Sequence, residues 1–179
     1  MEYNHIMLDL ETLGTRPGDI ILSIGAVWFT PGGEEKSKFY CTINKDSSRE
    51  VGLRAQKSTL EWWSKQAPEA QAAAFKGEFS LESAMTLFRM WLPPGENTLI
   101  YGNGANFDNA LLAAAYRAMK MDIPWKYWND RCYRTLASMF MNQRTKTERS
   151  GTYHNALDDA RTQMQRLCLM VKEHGLVLK

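Results

Sequence analysis

Long apolar runs are missing from this 179-residue chain. No stretch approaches the roughly 18 residues that a membrane span needs, and the first residues show no basic region followed by an apolar segment, so neither a spanning helix nor a secretory leader is expected. Cysteine is scarce too. Cys41, Cys132 and Cys168 are too few and too scattered for a disulfide framework, and none pairs in the C-x-x-C spacing of a metal ligand set. They read as buried thiols, and a reducing, cytoplasmic setting fits them best. An excess of one charge is also lacking. The formal net charge is +2, far from the strongly basic profile of a non-specific duplex binder. An acidic centre pulls such a sum downward, so a basic rim around an acidic cleft is still compatible with it. Internal repeats, low-complexity tracts and linkers are absent as well. With 44% hydrophobic residues, the chain reads as one domain over 1–179 that buries roughly 68 to 70% of its unfolded surface without a disulfide or a structural metal.

Against that background two acidic residues stand out. The apolar run Ile6-Met7-Leu8 passes straight into Asp9-Leu10-Glu11-Thr12-Leu13-Gly14. Strand alternation puts Asp9 and Glu11 on one face, at the end of a segment that otherwise reads as buried. Burying two carboxylates side by side is costly and raises the pKa of each, and a divalent cation held between them removes both costs.

The first third of the chain reads as strands, Ile6 to Leu10, Ile20 to Phe29 and Lys38 to Ile43, punctuated by Pro17-Gly18-Asp19 and Pro31-Gly32-Gly33. Helical signals follow. Ser58 is placed to cap a helix carrying Leu60, Trp62 and Trp63. Ser80 is placed to cap another, in which Leu81, Ala84, Met85, Phe88, Trp91 and Leu92 form a stripe ended by Pro93-Pro94-Gly95. Thr98 to Tyr101 reads as a fourth strand leading through a glycine-rich turn into a helix over Asp108 to Lys120. A short fifth strand near Tyr127 to Asn129 and a helix over Tyr133 to Met141 come next, then a polar, basic stretch from Asn142 to Thr152. A last helix over Asn155 to Glu173 stops at Gly175. Three antiparallel strands followed by alternating strands and helices give an α/β fold, a mixed sheet with helices on its faces.

Two further segments carry acids: Gly102-Asn103-Gly104-Ala105-Asn106-Phe107-Asp108, and Tyr153-His154-Asn155-Ala156-Leu157-Asp158-Asp159-Ala160. Singly, each has a plain structural reading. Asp-x-Glu ends many strands, an Asp before a helix caps it, and acids in a first helical turn favour the helix dipole. Together, in this order, D-x-E, F-D opening a helix and H-x-x-x-x-D resemble the DEDDh exonucleases, the group that includes ribonuclease T, oligoribonuclease and polymerase proofreading exonucleases. The resemblance covers nearly the whole chain.

The resemblance implies a ribonuclease H-like fold with a five-stranded mixed sheet. It also implies a 3'-5' exonuclease that releases nucleoside 5'-monophosphates from single-stranded RNA or DNA with a free 3' end, RNA being favoured by the likeness to ribonuclease T and oligoribonuclease. Asp9, Glu11, Asp108 and Asp159 would bind two Mg²⁺ or Mn²⁺ ions, hard cations suited to carboxylate oxygen. His154 would be the general base. The tyrosine subgroup places Tyr four residues before the last Asp; here that position holds Asn155, so the histidine subgroup fits. Asp159, five after His154, matches the pattern, whereas Asp158 points about 100° away on a helix. Leu13 and Gly14 would meet the terminal nucleotide. The chain departs from the commonest form at Leu13, where many members have Thr, and at Gly104, often Asn, which bears on substrate fit rather than on the metal site.

Other substrate contacts read from the sequence are Phe107, which also reads as packing, and one of the adjacent tryptophans Trp62 and Trp63, with Trp63 named for stacking. From the basic stretch come Arg144, Lys146 and Arg149 as phosphate clamps. Family members are often dimers, so a homodimer is admitted. The competing readings are a DNA proofreading or repair exonuclease and a non-catalytic nucleic-acid-binding module of the same fold.

Overall fold

The computed structural model describes residues 3–149, 151 and 153–179. Five strands form one sheet: β1 (Asn4–Thr12), β2 (Ile21–Phe29), β3 (Glu35–Thr42), β4 (Thr98–Gly102) and β5 (Asp130–Cys132), in the order β3-β2-β1-β4-β5. Only β2 runs against its neighbours; β1 pairs with β4, and β4 with β5, in parallel. The helices are α1 (Lys45–Glu50), α2 (Lys57–Trp63), α3 (Pro68–Ala74), α4 (Leu81–Trp91), α5 (Asp108–Ala118), α6 (Tyr133–Phe140) and α7 (Ala156–His174). Among the described residues no helix is long and apolar enough to cross a membrane.

Strand β1 lies at the centre, so both of its faces are covered and its apolar run is continuous. Ile6, Leu8 and Leu10 enter one core with Leu81, Phe88, Leu111 and Trp125, which packs α4 and α5 on one side of the sheet. Met7 points the other way, into a second core with Val27, Tyr101, Tyr133, Met164 and Leu167 beneath α6 and α7. The same alternation sends Asp9 and Glu11 to the side of α7.

Two glycines let helices approach the sheet closely. A Cβ on Gly25, the β2 partner of Asp9, would lie 2.1 Å from the backbone carbonyl carbon of Ala156, so the first turn of α7 rests on bare strand backbone. A Cβ on Gly102, the last residue of β4, would lie 2.3 Å from Asn109 Oδ1, so α5 starts directly above the strand end. Asn155 caps α7, its Oδ1 accepting from the N–H groups of Leu157 and Asp158, and Gly175 closes the helix at a φ of 61°.

Some expectations need correction. Tyr127–Asn129 is a single 3-10 turn, and β5 begins at Asp130, because the Asn129 side chain turns back to donate to the Glu96 carbonyl. Helix α2 starts at Lys57 with Gln56 as its cap residue, so Ser58 lies inside the helix. The short helices α1 and α3 carry too few turns to show a periodic stripe in the sequence. Ser80 caps α4 as expected, accepting from the Ser83 N–H.

Candidate active site

The carboxylates meet where β1 runs past the end of β4. Leu8 pairs with Gly102, and Asp9 and Glu11 extend beyond it, with an irregularity in the pairing to β2 between Glu11 and Thr12. Ligand oxygens of Asp9, Glu11 and Asp159 all fall within 4.8 Å of one another. Asp108, in the first turn of α5, is 1% exposed, and its Oδ1 accepts from the Leu10 N–H at 3.2 Å. That bond ties the second motif to the first. Asp108 Oδ2 is buried and has no hydrogen-bond partner among the described residues.

Crowding of like charge leaves its mark on each acid. Burial, then the charges of Asp108, Glu11 and Asp159, push the Asp9 carboxyl well above the usual range. Burial and Asp159 raise Glu11 to about 8, and burial raises Asp108 to about 7. Asp159 is also raised, chiefly by burial, while Arg149 opposes the shift. An orphaned buried oxygen and four carboxylates driven toward protonation are what a divalent cation corrects, and an all-oxygen donor set suits Mg²⁺ or Mn²⁺. The residues therefore fit a metal centre.

His154 stands on the cleft rim at a φ of 61°, a conformation uncommon outside glycine, just before the Asn155 cap. Its ring meets the Trp62 indole edge-on, with centroids 4.8 Å apart, and burial holds its pKa below the ordinary value.

Asp9, Glu11 and Asp159 open onto a cleft of about 890 Å³. Phe107 lines it, as does Arg149, whose Nη2 pairs with Asp159 Oδ1 and whose guanidinium lies 4.2 Å from the Tyr153 ring. Trp63 reaches the cleft only with its edge: it is 2% exposed and its indole N–H donates to the Thr12 carbonyl, so it packs rather than stacks. Trp62, at 42%, presents the exposed indole instead. The Leu13 side chain is fully buried in the core, and Gly14 fits tightly over Asp19. Arg144 pairs with Glu173 and does not line the cleft, nor does Lys146. Three polar residues that do line it escape a reading by motif: Gln163, whose Nε2 donates to Asp9 Oδ1, and the arginines Arg134 and Arg166. Gln163 lies four residues, one helical turn, after Asp159, the one signal that points to it.

Residues 4–170 match the 3'-5' exoribonuclease Rv2179c-like domain. The chain belongs to that family. No curated protein matches it. Its fold is shared with Escherichia coli exonuclease I in complex with a dT13 oligonucleotide, at a TM-score of 0.67 and 15% identity over 97% of this chain and 42% of that one. It is shared also with the nuclease domain of 3'hExo, a DEDDh family member bound to rAMP, at a TM-score of 0.59 and 12% identity over 98% of this chain and 94% of that domain. The chain thus spans about two fifths of the exonuclease I chains it resembles. The mixed five-stranded sheet with helices on both faces is the ribonuclease H-like fold of these exonucleases, and the matched family is that of a 3'-5' exoribonuclease domain.

Proposed function

We propose that this member of the Rv2179c-like family removes nucleotides one at a time from the 3' end of single-stranded nucleic acid, RNA ahead of DNA, and releases nucleoside 5'-monophosphates. The observation that carries the reading is the convergence of Asp9, Glu11 and Asp159 within 4.8 Å, with buried Asp108 beside them and His154 on the rim. Asp9, Glu11, Asp108 and Asp159 would hold divalent cations, a pair of Mg²⁺ or Mn²⁺ ions, which supply Lewis acidity at the phosphoryl oxygens and a water acidified toward neutral pH. The dT13 complex of exonuclease I supports a single-stranded substrate, and the exoribonuclease description of the family, with the rAMP complex of 3'hExo, supports the lean to RNA.

Each side chain has a role that its position supports. Gln163 fixes the rotamer of Asp9 by donating to one of its oxygens and leaves the other for a cation. The Leu10 N–H does the same for Asp108. His154, whose pKa burial lowers, would accept the proton of the attacking water, and the Trp62 edge restrains its ring.

The test is degradation of matched 5'-labelled single-stranded RNA and DNA with Mg²⁺, Mn²⁺ or EDTA, using wild type and Asp9→Ala. A metal-dependent ladder shortening from the 3' end, absent in the variant, is expected, with RNA consumed faster. No ladder on either strand, with binding retained, would make the chain a binding module instead.

A further inference from the structure

We propose that Arg134 and Arg166 bind phosphates of the single strand on the 5' side of the bond being cut, so that the cleft pairs an acidic floor with a cationic wall. The inference rests on the exonuclease reading and extends it to residues outside the acidic motifs and His154. Arg134 lies in the first turn of α6 and Arg166 on α7, and both line the cleft onto which Asp9, Glu11 and Asp159 open.

What sets these two apart from Arg149, the third arginine of the cleft, is the absence of a carboxylate partner. Arg49, Arg144, Arg149 and Arg161 each form an ion pair, whereas among the described residues neither Arg134 nor Arg166 does. Each is instead tethered to a main-chain carbonyl, Arg134 through Nη2 to Asn103 and Arg166 through Nη2 to Thr147 at 2.9 Å. A carbonyl fixes the guanidinium plane without neutralising it. Among the described residues the buried Arg166 Nε has no hydrogen-bond partner. A guanidinium carries five N–H donors in a rigid fork that matches a phosphate, so each arginine keeps most of its donors for an anion. The charge of Arg134 reaches the floor, where it counters the rise of the Asp108 pKa.

Two unpaired cations beside acids of which Asp159 alone has a cationic partner, Arg149, would be costly in a closed core. In an open cleft they sort a substrate instead: metal and reacting phosphate toward the acids, trailing phosphates toward the arginines. Because phosphate contacts carry no base information, this wall would add affinity regardless of sequence.

The test is the salt dependence of binding of a fluorescently labelled oligouridylate, measured in EDTA so that no strand is cut. Each phosphate of a single strand that a cation neutralises adds about 0.7 to the slope of log K against log salt. Arg134→Gln and Arg166→Gln are each expected to lower the slope by about that amount, and the double variant by about 1.4. Lysine at either position restores the charge and the wild-type slope. Arg144→Gln, which removes a charge paired with Glu173 away from the cleft, leaves the slope as it was. Misfolded protein lowers the amplitude of binding but not the slope of what binds, so loss of fold does not imitate the effect. An unchanged slope in either glutamine variant overturns the assignment of that arginine, and an equal fall in Arg144→Gln overturns the wall as a whole. Failure of the wild type to degrade RNA or DNA with Mg²⁺ or Mn²⁺, with slopes as expected, would sink the exonuclease reading while leaving a single-strand binding face; degradation with unchanged slopes would sink this assignment alone.

Discussion

Gln163 donates to Asp9 across 154 positions of sequence, at 2.7 Å, and so ties the first strand to the last helix inside the cleft. The amide orients a carboxylate that its neighbours would otherwise repel into other rotamers. Replacing Gln163 with Ala should weaken Mn²⁺ binding by about tenfold, the low end of what loss of such a support costs. Titration followed by electron paramagnetic resonance checks this; unaltered affinity would show that Asp9 holds its place unaided.

The raised acids make stability depend on pH in a definite direction. Glu11 holds its proton up to about pH 8 in the fold but releases it near 4.5 when unfolded, so between those values the native state binds more protons and stability falls as pH rises. Asp108, raised to about 7, acts in the same sense over a narrower range. In EDTA the melting temperature should decline from pH 5 to pH 8 on this account, and Mg²⁺ should reverse the decline, with its effect growing as pH rises. A melting temperature that climbed with pH in EDTA would contradict the crowding of these charges.

Asp108→Asn separates stability from function. The amide oxygen can still accept from the Leu10 N–H, while the buried charge is gone. At pH 8 in EDTA this variant should melt above the wild type, and it should lose Mg²⁺-dependent stabilisation and hydrolysis. Calorimetry with and without Mg²⁺ reads the stability, and the labelled-strand assay reads the hydrolysis.

Gly25→Ala should cost about 1 to 3 kcal/mol, since a methyl there meets the main chain of Ala156 and Leu157, which can give way only if α7 shifts. Urea unfolding measures the loss, and Mn²⁺ affinity should fall with it as Asp159 moves off its partners. Wild-type stability would mean that α7 adjusts freely.

Trp62→Ala should release the His154 ring. With less burial the imidazole pKa rises toward its ordinary value, so the acid limb of the pH–kcat profile should move to higher pH and kcat should fall, while Trp62→Phe retains most of both. An unmoved acid limb would separate Trp62 from the base.

Much of this was legible in the sequence because the site sits on the regular part of the fold. Period-two alternation put Asp9 and Glu11 on one face, and the spacing of the family resemblance pointed to Asp159 rather than Asp158. The cap signals at Ser80 and Gly175 each mark a helix end in the structure. What escaped was set by tertiary contact. Adjacent tryptophans must diverge, but only packing decided that Trp63 turns inward to Thr12 and Trp62 outward to His154. Charge density within residues 142–152 drew attention to Arg144 and Lys146, yet the cationic side chains of the cleft come from three different segments, at Arg134, Arg149 and Arg166. No local pattern announces that convergence.

The seating of α7 on the bare backbone at Gly25 also has a consequence in time. Asp9, Glu11 and Asp108 belong to elements that pair early in the chain, whereas His154 and Asp159 arrive only when the final helix docks, and contacts so distant in sequence are slow to close. A chain that has folded its sheet but not yet laid down that helix lacks Asp159 and His154 in the cleft. On the proposed reading, hydrolysis would begin only once that helix has docked.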